Sequence, residues 1–363
     1  VADYSSVNGV DDDNITSVNG VAAASIESIN GVDSGGASPT EATLWVAGME
    51  DAFAAFADAD DLTSWTVYDA RATEAEPNYW RVAFGKDGSG DPLWVGTWLA
   101  DNAEVCYTSD PTDSNPWQGV KFAIDGGNLR NRKFALEWGN NVWVAIGAQG
   151  GGIQNYFRST DGQNWTQVDI SGLTDIDTNT IYALTTDGAG TWWFGQQCRI
   201  YKSTDNAATF SLHHTLTGCG EIDDMCFTND TLVLLCNTSL YTAAVSDTTD
   251  FSSATTFTTG GIRVAAAAGR VVFIGNNLYA KYADVSGKTI TTDNTSGIAL
   301  PTDGSNSNAG CIGTDGTTWL VGRDDGDICK STDSGATWTT VVTGLGTPNM
   351  DVIDIKPDVL TPL

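Results

Sequence analysis

One apolar pattern returns seven times along the chain: LWVAG from Leu44, LWVGT from Leu93, VWVAIG from Val142, WWFG from Trp192, LVLLC from Leu232, VVFIG from Val271 and WLVG from Trp319, at intervals of 39 to 50 residues. Each run is short, rich in β-branched or aromatic residues and bounded by turn formers, which predicts a strand. Before most of them stand a second apolar run and a tight turn, as in RVAFGKDGSGDP, KFALEWGNN, IYALTTDGAG, MCFTND and CIGTDG. A third and a fourth strand follow. A four-stranded unit recurring about every 40–50 residues is the signature of a β-propeller. The prediction is all-β, with seven blades.

The two ends of the chain agree with a closed ring. Leu44 opens a second-type strand with no first-type strand before it, because SGGASPTEA at 34–42 reads as a linker. The missing strand is expected in MDVIDI, from Met350. A C-terminal strand completing the first blade closes the ring and removes two sheet edges. The predicted organisation is an arm over 1–33, a linker over 34–42 and a propeller over 43–363.

The turn between third and fourth strands carries the most specific motif. KSTDSGATWTT supplies Ser331, Asp333, Gly335 and Trp338 in the pattern S-x-D-x-G-x-x-W. KSTDNAATFSL keeps Ser203 and Asp205, with Ala207 for Gly and Phe210 for Trp, and RSTDGQNWTQV gives Ser159, Asp161, Gly162 and Trp165, one residue shorter. DADDLTSW keeps Asp60 and Trp65, while YTSDPTDSNPW stretches the loop between Ser109 and Trp117. Such a carboxylate accepts hydrogen bonds from turn N–H groups, Gly permits positive φ, and Trp packs back over the hairpin. On these residues the body, roughly 43–356, resembles the Asp-box (bacterial neuraminidase repeat) propellers. That group includes sialidases, glucan-cleaving endoglucanases, sortilin-type receptors and photosystem assembly factors. In them the box is a structural hairpin on the blade periphery, so the resemblance implies the fold and leaves activity open.

The arm repeats on a shorter period. Val7-Asn8-Gly9, Val18-Asn19-Gly20 and Ile29-Asn30-Gly31 recur eleven residues apart in an S-[V/I]-N-G-V pattern. Eleven is also a helical supercoil period. Asn-Gly, however, favours a tight turn, so short extended pieces separated by turns are expected. So short a segment cannot bury a core alone and is disordered, pairs with copies of itself, or docks on another protein. Its pattern resembles low-complexity arms of bacteriophage virion and tail proteins.

Asp and Glu outnumber Lys and Arg by 46 to 17, a formal charge of -29, which disfavours nucleic acid and anionic membranes as partners. No apolar run reaches the ~18 residues of a membrane-spanning helix. VADYSSVNGV shows no secretory signal pattern. The cysteine count of 7 is odd and forms no metal-ligand spacing. Cys226 and Cys236 are expected on neighbouring strands of one hairpin, each as a buried free thiol.

Catalytic signals are weak. No sialidase F/Y-R-I-P signature is present, and Arg71 and Arg81 sit in unrelated contexts. Another glycosidase needs two facing carboxylates. The acid runs DADD at 58–61 and DDGD at 324–327 are candidates, with solvated turn residues the plainer reading. His213 and His214, the only histidines, are adjacent on an outer strand, where alternation would place them on opposite faces. Asp175, Asp177 and Asn179 open like a calcium loop, but Thr180 replaces its Gly and Thr186 its Glu, so no metal is expected. A ligand face, if there is one, is expected where second-to-third loops and inter-blade loops emerge together, at Tyr79, Trp98, Gln149, Arg199 and Arg323.

The expectation is a non-enzymatic virion structural or decoration protein of a bacteriophage, assembled in the host cytoplasm and needing no cofactor. Residues 1–33 would bind other virion proteins or copies of the chain, and the propeller a host surface glycan. The alternatives are a polysaccharide-active glycosidase and a protein-binding scaffold or assembly factor.

Overall fold

The computed structural model describes residues 17–18, 21–22, 28–29, 32–33, 44–49, 53–69, 80–98, 104–112, 117–121, 134–148, 154–168, 170, 172–173, 176, 181, 183–255, 261–275, 279–292, 297–301, 309–345 and 354–357. The chain divides into two units, Val1–Thr43 and Leu44–Leu363.

In the first unit, Ser17–Val18 pairs antiparallel with Val21–Ala22, and Ser28–Ile29 with Val32–Asp33. Val18 faces Val21 and Ile29 faces Val32, with Asn19-Gly20 and Asn30-Gly31 between them in the chain. The extended pieces expected of the repeat are therefore two-residue β ladders. Val7, Asn8 and Gly9 lie outside the described residues.

The second unit is a seven-bladed β-propeller: seven antiparallel sheets of four strands among the described residues, one of them with a short fifth strand, Ile298–Ala299. Blade 1 joins Asp354–Pro357 to Leu44–Gly48, Phe53–Asp58 and Thr66–Asp69. The inner strands of blades 2 to 7 are Trp80–Lys86, Phe134–Gly139, Ala183–Thr186, Ile222–Thr228, Gly261–Ala267 and Ala309–Thr314. Each inner strand touches the inner strand of the next blade, and blade 1 touches both blade 7 and blade 2, so the ring closes. The closing strand is the expected C-terminal one, in register Asp354 with Gly48 through Pro357 with Trp45. Residues 350–353 of the expected MDVIDI strand lie outside the described residues.

All seven apolar runs found in the sequence are second strands, and the reason for their unbroken hydrophobicity is burial on both faces. Trp192–Gln196, Thr231–Cys236 and Trp319–Arg323 are buried at every position. Between blades lie seven apolar clusters among the described residues, one per interface. The interface of blades 3 and 4, for example, packs Val144, Ile146 and Tyr156 against Trp192, Phe194 and Tyr201. A fully buried aromatic or aliphatic side chain contributes ~1.5–3 kcal/mol, so these interfaces hold the ring together. Outer strands such as Thr166–Val168 are largely exposed.

Two expectations need correction. Cys226 and Cys236 do lie on paired strands, and Cys226 is a half-buried thiol, but Cys236 forms a disulfide with Cys219. His213 and His214 do occupy an outer strand, Ser211–Thr215, but a β-bulge at Ile200/Tyr201 breaks the alternation there. Both rings consequently reach the 245–251 segment of blade 5: His213 Nε2 lies 2.6 Å from the Thr248 hydroxyl, and the His214 ring lies 5.4 Å from Phe251.

Candidate functional site

A channel of about 580 Å³ follows the propeller axis, walled by the inner strands of blades 2 to 7. Inner strands run from the face of the second-to-third turns toward the face of the third-to-fourth turns. Charged groups therefore enter the channel at two levels. Arg81, Asp224 and Arg263 line it from the first halves of their strands, and Lys86, Asp187 and Asp315 from the far ends or the turns beyond. Between them the wall is mainly apolar, with Phe84, Leu184 and Ile312, interrupted by Glu137.

The acids at the far end are committed to their turns. Asp187 Oδ1 accepts the N–H groups of Ala189 and Thr191 at 2.8 and 2.9 Å, and Asp315 Oδ1 those of Thr317 and Thr318 at 2.8 and 2.6 Å. Asp87 of blade 2 does the same for Ser89 and Asp91.

At the near end a repeated irregularity shapes the mouth. Blades 5, 6 and 7 each shift register near the start of the inner strand, at Ile222/Asp224, Gly261/Arg263 and Ala309/Cys311. A bulge re-aims the side chains beside it, and here Asp224 and Arg263 join the channel wall. Asp224 Oδ2 also accepts the Val264 N–H at 2.9 Å, tying blade 5 to blade 6. Beside it, Asp223 accepts the Asn237 N–H at 2.7 Å. Burial pushes the Asp223 carboxyl up to about 6, with Glu221 and Asp224 pushing the same way against the Asn237 N–H and Arg263.

Of the expected ligand-face residues, Trp98, Arg199 and Arg323 are described, in blades 2, 4 and 7. Tyr79 and Gln149 lie outside the described residues, and Trp98 ends the second strand of blade 2, opposite Trp80 and Glu104. Arg199 donates from Nη1 to the Gln197 side chain at 3.1 Å in blade 4. Arg323 is 0% exposed and does not face a ligand surface. Its Nη1 donates to Asp327 and to the Pro301 carbonyl at 2.9 Å each, and its Nη2 to Asp325 at 2.7 Å. The DDGD run is thereby tied into the fold, and DADD likewise, where Asp58 caps the Asp60 N–H and Asp61 the Thr63 N–H. Asp175, Asp177 and Asn179 lie outside the described residues, and no group of His, Cys, Asp or Glu suited to a metal occurs among the described ones.

The S-x-D turns have the hydrogen bonds expected of them. In blade 7 the Ser331 hydroxyl donates to Asp333 at 2.8 Å and accepts the Gly335 N–H at 2.9 Å; Asp333 accepts the Thr337 N–H at 2.7 Å, and the Trp338 indole donates to the Gly335 carbonyl at 3.1 Å. Ser159, Asp161, Gly162 and Trp165 repeat this in blade 3, and Ser203 and Asp205 in blade 4, where the Phe210 ring has no N–H to donate. Desolvation opposes ionisation of Asp205, but hydrogen bonds from Thr209, Ser203 and Ala208 outweigh it and hold the carboxyl at about 2. In blade 2 the hydroxyl is Thr108 rather than Ser109: buried Thr108 accepts the Asp110 N–H at 3.0 Å. These turns also lock blade to blade. Asn206 donates its side-chain amide to the Asn140 carbonyl at 3.1 Å, and a Cβ on Gly162 would meet Leu93 of blade 2 at 2.5 Å.

Sequence reasoning missed Glu137, Asp224 and Arg263 as a group. The available signal was a charge inside an inner strand, where a propeller otherwise places small or apolar residues.

No protein-family profile and no curated protein matches the chain. Its likeness is to solved structures. The structure of YCF48 bound to D1 peptide is 13% identical, over 75% of this chain and 86% of that one, with a TM-score of 0.48. The WD40 domain of Pan2 from Neurospora crassa is 8% identical, over 74% of this chain and 79% of that one, with a TM-score of 0.53. The second likeness shows the propeller fold and nothing narrower.

Proposed function

We propose that the chain is a non-catalytic binding scaffold that takes a partner protein's extended segment into the near mouth of its channel. The observation that carries this reading is the channel itself. Its wall sets Arg81, Glu137, Asp224 and Arg263 among apolar side chains such as Phe84, Leu184 and Ile312. Concave, mostly apolar surfaces with a few placed charges are the usual form of a binding site. The test is selection of a displayed random-peptide library on the full chain, followed by Glu137→Lys and Arg81→Glu. Selected peptides are expected to lose at least about tenfold in affinity, or ~1.4 kcal/mol. Undiminished binding by both variants rules out the channel.

A narrower form of the reading is a virion decoration protein whose residues 1–33 join it to copies of itself or to other virion proteins. Its support is the arm, where the same repeat unit gives the same short β ladder twice. Light scattering of the full chain beside Val18→Lys/Val21→Lys/Ile29→Lys/Val32→Lys is expected to show an oligomer and its loss. An unchanged mass removes self-association by the arm.

A hydrolytic reading would rest instead on the cluster of Asp223, Asp224 and Glu221 at the start of blade 5, three acids that repel one another there. Oligosaccharide turnover abolished by Asp223→Asn would replace the scaffold reading.

A further inference from the structure

Cys219 and Cys236 form the disulfide of the described residues, with Cα atoms 5.8 Å apart. Cys219 sits on the segment that passes from blade 4 to blade 5, and Cys236 ends the second strand of blade 5. That segment is an arch pinned at both ends to one turn. The Leu216 N–H donates to the Cys198 carbonyl, and the Ile222 N–H to the Gln197 carbonyl, each at 2.8 Å. Cys219 stands midway, three residues from either anchor, and three residues of chain span at most about 10 Å. Cys198 and Cys219 are half-buried and pack against the same apolar cluster, which contains Cys236 itself. The remaining thiols are elsewhere: Cys106, Cys311 and Cys329 are buried, and Cys226 packs against a different cluster.

We propose that Cys198, Cys219 and Cys236 form a thiol–disulfide exchange site in which the bridge moves between Cys219–Cys236 and Cys198–Cys219. The Cys198 thiol gives its proton to solvent and its sulfur attacks Sγ of Cys219. The Cys219–Cys236 bond breaks, its electron pair leaves on Sγ of Cys236, and that thiolate takes up a proton. One S–S bond forms and one breaks, so no oxidant or reductant is consumed. Before exchange the bridge ties the arch to the second-to-third turn of blade 5; afterwards it ties the arch to that of blade 4. The move bears on the channel mouth, because Asn237, next to Cys236, is the residue whose N–H holds Asp223. It does not depend on what the channel binds.

Trypsin reads the two states directly. Cys219, Cys226 and Cys236 share the fragment 203–263, whereas Cys198 lies in 159–199. The full chain is held at pH 8.5, quenched in acid, capped with N-ethylmaleimide at mildly acidic pH and digested without reduction. Exchange yields a cross-linked pair of these fragments with the cap on Cys236. The cross-linked pair is expected to grow with incubation, to dominate, without that cap, in Cys236→Ser refolded in glutathione buffer, and to vanish in Cys198→Ser. The proposal is overturned if the wild-type chain carries its cap on Cys198 and never on Cys236. A folded Cys236→Ser chain that leaves Cys198 and Cys219 both capped overturns it as well. The wild-type experiment decides even where the variant fails to fold.

Discussion

The Trp143 indole N–H, from the second strand of blade 3, donates to the main-chain carbonyl of Lys86 at the end of the inner strand of blade 2, at 2.8 Å. The ring is 0% exposed and packs among Leu93, Val95 and Phe157. One side chain thus fills an interface and satisfies a carbonyl of the neighbouring blade. Trp143→Phe removes the donor and leaves a void, and is expected to cost about 2–3 kcal/mol, measured by urea denaturation. A loss below the error of that measurement would mean water replaces the indole.

Gly335 combines a φ of 87° with a neighbour that leaves no room. A Cβ there would lie 2.8 Å from Val272 of blade 6. Gly335→Ala is expected to destabilise by ~1–3 kcal/mol through left-handed strain and overpacking together. Ser331→Ala provides the comparison, losing a hydroxyl that both donates to Asp333 and accepts from Gly335, without a clash.

Arg323 is charged, fully buried and paired with Asp325 and Asp327. Arg323→Leu strands the Asp327 carboxylate, which is 2% exposed, and is expected to cost ~3–5 kcal/mol. Asp327 Oδ1 also accepts the Gly344 N–H at 2.9 Å, so protease cutting should appear first around 342–345. A variant as stable as the parent would show that the charge cluster adds nothing.

Asp223 gives a pH-dependent prediction. Its carboxyl titrates near 6 in the folded chain, against an ordinary 3.8. Between those values the native state holds a proton that the unfolded chain has released, so this group lowers stability as pH rises, and the deficit is complete above about 6. Asp223→Asn keeps an acceptor for the Asn237 N–H and removes the charge. It is expected to gain on the order of 1 kcal/mol at pH 7, after discounting for solvent screening, and nothing at pH 4. An equal gain at both pH values would assign the effect to packing instead.

The blade count and ring closure were legible because each second strand is buried on both faces, so burial writes a continuous apolar run such as LVLLC. The S-x-D turns were legible because their hydrogen bonds join residues within four positions, as Ser331 does with Gly335. The pairing of Val18 with Val21, three positions apart, belongs to the same local class. Such features need no knowledge of the rest of the chain.

The channel and its chemistry were not legible in this way. Asp224 and Arg263 are 39 positions apart, and they share a wall only because blades 5 and 6 are neighbours and a bulge re-aims each strand. The bulge at Ile200/Tyr201 turned two histidines toward one blade against the alternation of their strand. Arg323 read as a ligand-facing loop residue, yet the fold buries it with two acids and the Pro301 carbonyl. By itself the sequence determined which segments are strands, how many blades they make and which turns join them, since those follow from burial period and short-range hydrogen bonds. Only the tertiary structure decided which charges share the channel wall, which cysteine closes the disulfide and which arginine is locked away, because those are set by distances between residues that the chain itself keeps far apart.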